Sequence, residues 1–172
     1  MDGKTLPGYD FETSGQFWNI FKKIPGTQKK EWILSMPEEK LLLEAEPGVY
    51  IVHLLASGGH LPEERLTPKI LALRDMRHKT VAHFLAESGI LPQKLITPEI
   101  LSLKDNEGYS VAHILAYAKA FPKQYIADSR ILSLTNNKKL SVEELLLSTN
   151  QVPPEHITPD MAKKKFFNDS FG

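Results

Sequence analysis

Three histidines recur at a fixed interval, each within a near-copy of the same apolar phrase. His53 lies in IVHLLA, His83 in VAHFLA and His113 in VAHILA, so that thirty residues separate each histidine from the next. An imidazole can bind a metal, transfer a proton or form hydrogen bonds within a fold. The first question that the sequence raises is which of these the recurring histidines do.

The spacing of the histidines argues against a shared metal ion. Helices that pack side by side lie about 8–10 Å apart, whereas every imidazole of a zinc site lies about 2 Å from the same ion. The chain has no H-E-x-x-H pair, and it has no cysteine, which excludes disulfides, thiolate catalysis and cysteine-ligated zinc. We expect no metal, no cofactor and no catalytic residue.

The residues that precede the histidines favour a structural role. Thr80 and Ser110 each stand three positions before a histidine, and Ser141 stands three positions before Glu144 in the last copy. Ser/Thr-x-x-Glu is the capping box, in which two side chains accept backbone N–H groups at the start of a helix. Because glutamate serves in this slot, the pattern predicts that the histidines also cap helices. Tyr50 takes the hydroxyl position of the first copy, so that box is predicted to be incomplete.

The histidine phrases belong to a longer repeat with a period of 30 to 31 residues. One copy reads LALRDMRHKTVAHFLAESGILPQKLITPEI, and the next reads LSLKDNEGYSVAHILAYAKAFPKQYIADSRI. A single helical unit of this size cannot bury its apolar face, whereas a stack of units can. The sequence predicts a helical cap, four repeats and a tail, at 1–40, 41–70, 71–100, 101–131, 132–161 and 162–172.

Each repeat carries its own start and stop signals. A turn precedes the first helix, with the pattern Asp-x-x-Gly at 105–108. The first helix is predicted to end near Gly58 or Gly89, because glycine suits a helix C-cap. Thr67-Pro68, Thr97-Pro98 and Thr158-Pro159 are each a start signal for a second helix. We expect this second helix to have at most two or three turns.

The two ends of the chain differ from the repeats. Residues 15–37 predict two helices that carry Phe17, Trp18, Phe21 and Trp32, and we expect them to lie across the open face of the first repeat. In the tail, Phe166-Phe167 either close the last repeat or belong to a frayed end.

The first half of the repeat resembles a known family. DMRHKTVAHFLAESG and DNEGYSVAHILA are similar to the ankyrin signature D-x-x-G-x-T-P-L-H-x-A-A-x-x-G. The resemblance covers roughly 41–161. It departs from the family in its shorter period, in Val-Ala for Pro-Leu, in the Thr-Pro start of the second helix, and in the missing Gly-Ala ending.

The resemblance implies an all-α fold, namely a short helical-repeat solenoid of about four ankyrin-like repeats with a helical N-terminal cap. It implies that Thr80, His83, Ser110, His113 and, in part, His53 are structural. It also implies that the chain binds other proteins through its turn tips and the exposed side of its first helices.

The sequence therefore predicts a non-enzymatic protein-binding module that acts as an adaptor, an inhibitor or an effector. Its four tips lie at 45–48, 75–78, 105–109 and 135–139. Stacked repeats fix the backbone and leave such tips free to vary. The predicted partner-binding residues are Met76, Arg77, His78, Asn106, Glu107, Tyr109, Tyr117, Asn137 and Lys138.

Composition bears on the alternatives. Lysine plus arginine and aspartate plus glutamate number 21 each, so no basic surplus favours nucleic acid. The alternative of a nucleic-acid-associated protein rests on scattered lysines: Lys22, Lys23, Lys29, Lys30 and 163–165. A less favoured alternative is an enzyme whose site has no sequence motif. No small-molecule substrate and no membrane span are predicted, and the polar, acidic N-terminus favours a cytoplasmic location.

Overall fold

The computed structural model describes residues 7–8 and 11–163, and the chain is about half helical. One antiparallel strand pair, β1 (Glu44–Glu46) and β2 (Val49–Tyr50), is present. The predicted helical class is confirmed. No helix of the described part is both long and apolar enough to cross a membrane. The expectation for Phe166 and Phe167 lies outside the described residues.

The chain divides between Ser88 and Gly89 into two units. This boundary falls inside the predicted repeat 71–100, so the repeat boundaries remain a prediction from the sequence. The helices of the first unit are α1 (Ser14–Phe21), α2 (Gly26–Ser35), α3 (Glu38–Leu41), α4 (Ile51–Ser57), α5 (Pro68–Leu71) and α6 (Val81–Glu87). Those of the second are α7 (Pro98–Leu101), α8 (Val111–Tyr117), α9 (Ser129–Leu132) and α10 (Val142–Ser148), with a further helical turn at 159–163.

The two predicted N-terminal helices are α1 and α2, and aromatic rings hold them together. Phe11, Phe17, Phe21 and Trp32 are buried, and the rings of Phe17 and Trp32 lie 5.7 Å apart. Buried aromatic side chains contribute strongly to a core. The ring of Phe21 also lies 5.2 Å from that of His60, so the helical pair contacts the predicted first repeat.

The Arg65 side chain caps the C-terminal end of α2. The Arg65 guanidinium donates hydrogen bonds to the carbonyl of Ile33, at 3.2 and 3.0 Å, and to the carbonyls of Leu34 and Met36. The last carbonyls of a helix have no partner within it, and positive charge is favourable there. Arg65 therefore attaches the N-terminal helices to the segment that precedes α5.

The second helices start where the sequence predicts and are brief, as expected. The Thr67 and Thr97 hydroxyls accept the N–H groups of Ile70 and Ile100 at 3.2 and 3.3 Å. Helices α5 and α7 are one turn long, since the chain must then enter the next tip. Short 3₁₀ turns, which the sequence did not predict, lie before them at Glu63–Arg65 and Gln93–Leu95. In the next copy Asp128 replaces Thr-Pro and accepts the N–H of Arg130 at 3.0 Å.

A residue in the left-handed backbone conformation follows the end of each first helix. Gly89 has the predicted role, with φ +70°, but in the preceding copy Gly59 and not Gly58 adopts this conformation. Lys119 and Asn150 take the same conformation without being glycine. After Gly59, Lys119 and Asn150 the following N–H closes the helix end, as in the 2.8 Å bond from Ala120 to the Leu115 carbonyl.

Candidate interaction surface

The histidines form the predicted capping contacts. Nδ1 of His113 accepts the Ser110 N–H at 3.1 Å and lies 2.7 Å from the Ser110 hydroxyl oxygen. Nδ1 of His83 accepts the Thr80 N–H at 3.2 Å and lies 2.7 Å from the Thr80 hydroxyl oxygen. Glu144 makes the same pair of contacts with Ser141, both at 2.8 Å. Histidine and glutamate therefore do the same work at these helix starts.

The first copy keeps only part of this box. Nδ1 of His53 accepts the Tyr50 N–H at 3.1 Å. A tyrosine carries its hydroxyl at the far end of a ring, so it does not take the place of a short Ser or Thr hydroxyl.

His53 and His113 each form a second hydrogen bond that was not predicted. Nε2 of His53 lies 3.1 Å from the Leu73 carbonyl, and Nε2 of His113 lies 3.1 Å from the Leu140 carbonyl. Because a backbone N–H can only donate and a carbonyl can only accept, Nδ1 must be bare and Nε2 must carry the proton. Both rings are thus neutral and join a helix start to the following tip.

The surroundings of these rings favour the neutral form. Both side chains are fully buried, and desolvation lowers the pKa of His53 and of His113, against the opposing effect of the bonds to the Leu73 and Leu140 carbonyls. Within residues 7–8 and 11–163, no three His, Asp or Glu side chains come together as ligands of a metal ion would.

The second tip presents three of the predicted partner-binding residues. The buried Asp75 carboxylate accepts the N–H groups of Arg77 and Lys79, both at 2.8 Å. The tip is therefore held by Asp75 and not by the side chains of Met76, Arg77 and His78, which are all exposed. Met76 is 63% exposed, more than any other large apolar side chain among the described residues.

The third and fourth tips present most of the others. Asn137 donates from Nδ2 to the Asn106 carbonyl and from its N–H to the Glu107 carbonyl, both at 2.9 Å. Asn137 therefore connects the two tips, although its side chain is exposed. Lys138 and the side chains of Asn106 and Glu107 also face solvent.

Two tyrosines lie beside the third tip. The rings of Tyr109 and Tyr117 are 6.2 Å apart, and Tyr117 is 51% exposed. Partial burial, and then the charge and hydrogen bond of Tyr109, raise the pKa of Tyr117. Paired, partly exposed tyrosines supply rigid contact area with a polar end.

Sequence reasoning missed two exposed residues. Glu46 lies in the first tip, and aligning the tips would have placed it level with Met76. Ile90 is 42% exposed and lies outside the tips, so no pattern marked it.

Two of the lysines on which the nucleic-acid alternative rests interact with other side chains of the chain. Nζ of Lys30 lies 2.7 Å from the Glu64 carboxylate, and Nζ of Lys29 lies 4.4 Å from the centre of the Phe21 ring. Lys164 and Lys165 lie outside the described residues.

No protein-family model matches the chain, and no curated protein is significantly similar to it in sequence.

Proposed function

We propose that this chain is a non-enzymatic protein-binding module that binds a partner protein through its tips and the exposed side of its first helices. The proposal takes the four sequence repeats as an ankyrin-like array, in which the histidines serve the fold and the tips serve recognition. Adaptor, inhibitor and effector roles all use such a surface.

The observation that carries the proposal is the exposure of two large side chains, one in the second tip and one on the first helix that follows the third tip. Met76 and Tyr117 are 63% and 51% exposed, and both belong to the set that sequence reasoning assigned to a partner. Arginine, tyrosine and methionine are enriched at protein interfaces. Each of these exposed side chains therefore marks a candidate contact position on its own unit.

The Arg77 side chain contributes little to the fold. The second tip is closed by backbone bonds and by the Asp75 carboxylate, and the Arg77 side chain makes no hydrogen bond or ion pair within the described part of the chain. The backbone bonds of the tip would survive truncation of Arg77. Loss of binding without loss of stability is thus expected.

Replacement of Arg77 or Tyr109 by alanine tests the proposal. Each truncation of an interface anchor is expected to lower partner affinity about 5-fold or more, since anchors contribute at least ~1 kcal/mol. The measurement is affinity capture from cell lysates, with captured proteins quantified by mass spectrometry and the unfolding midpoint recorded for each variant.

Lys23→Ala and Ile90→Ala are the matched controls, because they remove an exposed cation and an exposed apolar side chain away from the tips. Both should capture the partner as wild type does. Equal capture by the tip variants and the controls would contradict the proposal. A large fall in the unfolding midpoint of Arg77→Ala would instead assign that side chain to the fold.

A further inference from the structure

Met76 occupies a position where the other tips carry polar residues. When the tips are aligned on their turns, Glu46, Asn106 and Asn137 stand in its place. All four positions are exposed, so the turn itself requires no apolar side chain. An exposed methionine at a position that elsewhere is polar points to a contact outside the tip.

The first tip lies directly against the second. A Cβ built on Gly48 would lie 2.7 Å from Cβ and 3.2 Å from Cα of Met76, so the two turns are in van der Waals contact. This contact places the tip that holds Glu46 beside the tip that holds Arg77. Met76 stands at their boundary.

One exposed charge on each of these tips has no ionic partner among the described residues. Glu46 and Arg77 are exposed, and neither side chain forms an ion pair or a hydrogen bond with the described residues. Neighbouring opposite charges could have neutralised each other, but the structure leaves both facing solvent. The two adjoining tips thus present one exposed apolar side chain, Met76, together with the exposed carboxylate of Glu46 and the exposed guanidinium of Arg77.

We propose that a second copy of this chain binds the first and second tips, in a two-fold arrangement centred on Met76. A two-fold contact is self-complementary, so that each residue pair occurs twice. Met76 then meets Met76 of the second copy, and Glu46 meets Arg77 of the second copy on both sides of the axis. The inference rests on the proposed function and names the partner of this one surface.

The size and charge of the tips determine the strength of the contact. Two tips offer less area than the ~1,000 Å² of a stable interface, so the dimer is weak and transient. Exposed ion pairs are screened at high ionic strength. Dimerisation therefore increases with protein concentration and decreases with added salt.

The test is sedimentation velocity of the full chain over a concentration series at low salt. Wild type is expected to shift from monomer towards dimer as concentration rises. Met76→Asn, which installs the residue of the third and fourth tips, is expected to weaken dimerisation about 10-fold. Glu46→Arg and Arg77→Glu should each do the same, and the double variant Glu46→Arg/Arg77→Glu should restore the dimer because the swapped charges pair again across the axis.

Glu107→Arg is the control, because it reverses an exposed charge on a tip of the other unit and should leave dimerisation unchanged. A wild-type chain that stays monomeric at all concentrations overturns the inference. So does a double variant that dimerises no better than either single variant. If the chain is monomeric while Arg77→Glu still loses capture of a different protein, the inference fails and the proposed function stands. If Arg77→Glu changes neither dimerisation nor capture, both fail for this surface.

Discussion

At the scale of the residue, the imidazoles of His53 and His113 each form hydrogen bonds from both ring nitrogens, and the sequence predicted only those at Nδ1. Aligning histidine with Glu144 was enough to predict the Nδ1 contact, because a capping box is local in sequence. The Nε2 bond of His113 reaches Leu140, 27 residues later. Local patterns carry no information on such a contact, since it depends on how one repeat meets the next.

Removing one of these imidazoles should destabilise the fold. His113→Ala leaves the buried Ser110 N–H and the Leu140 carbonyl without their partners, and we expect the free energy of unfolding to fall by about 2–3 kcal/mol. Urea unfolding followed by circular dichroism measures this change. His156→Ala, at an exposed position, is the control and should have almost no effect. A loss below about 0.5 kcal/mol for His113→Ala would contradict the capping role.

The buried histidines also predict a dependence of stability on pH. Burial lowers the pKa of His53 and His113 in the folded state, whereas in the unfolded chain the pKa lies near about 6.5. Below that pH the two imidazoles bind protons in the unfolded state but not in the folded state. The free energy of unfolding therefore decreases as pH falls. Above about pH 7 both states are neutral and the histidines contribute no pH dependence.

This dependence can be measured by urea unfolding at pH 7.5 and 5.5. Nearby charges oppose or reinforce the effect of burial: Asp75 raises the pKa of His53, whereas Lys104 lowers and Asp105 raises that of His113. His113→Gln, which does not titrate, should show a smaller difference between the two pH values than wild type. An unchanged difference would mean that His113 is not the group responsible.

At the scale of the element, the tips follow one backbone plan with different residues. Gly48, His78, Gly108 and Lys139 all adopt positive φ at the fourth position of the turn. The Asp-x-x-Gly pattern predicted this turn, but it gave no reason to expect histidine or lysine in a left-handed conformation. Surrounding backbone bonds impose the conformation there, at some cost to a residue with a Cβ.

Substitutions at this fourth position of the turn should change the free energy of unfolding in opposite directions, depending on whether they remove or introduce a Cβ. His78→Gly removes the strain at φ +57° and is expected to raise the free energy of unfolding by about 0.5–1 kcal/mol. Gly108→Ala places a Cβ 2.8 Å from the Asn137 N at φ +79°, and it is expected to lower the free energy by at least about 1 kcal/mol. Thermal and urea unfolding of both variants provide the measurement. A stabilising Gly108→Ala would show that the turn relaxes freely.

The helices show where local signals are sufficient and where they are not. Thr67 and Thr97 predicted the starts of α5 and α7, because an N-cap acts within three residues. The length of these helices depends on where the chain must turn into the next tip. The bridge between Arg74 and Thr80 sets that limit for α5, and it pairs residues that no helix signal connects.

At the scale of the whole molecule, periodicity predicted the helical class and the order of elements. It also predicted tips, most of whose selected side chains are exposed. It did not predict that Met76 would be the most exposed of the large apolar residues described, or that Asn137 would connect two tips. Both facts depend on contacts between copies of the repeat, for which the sequence shows only the period.

The central claim is that the tips bind a protein partner while the buried histidines hold the fold. The most direct measurement is hydrogen–deuterium exchange of the purified chain with and without the partner that wild type captures. The account predicts slower exchange in peptides that cover the tips at 75–78, 105–109 and 135–139, with no change across 14–35. Protection confined to the N-terminal helices, with the tips unchanged, would contradict it.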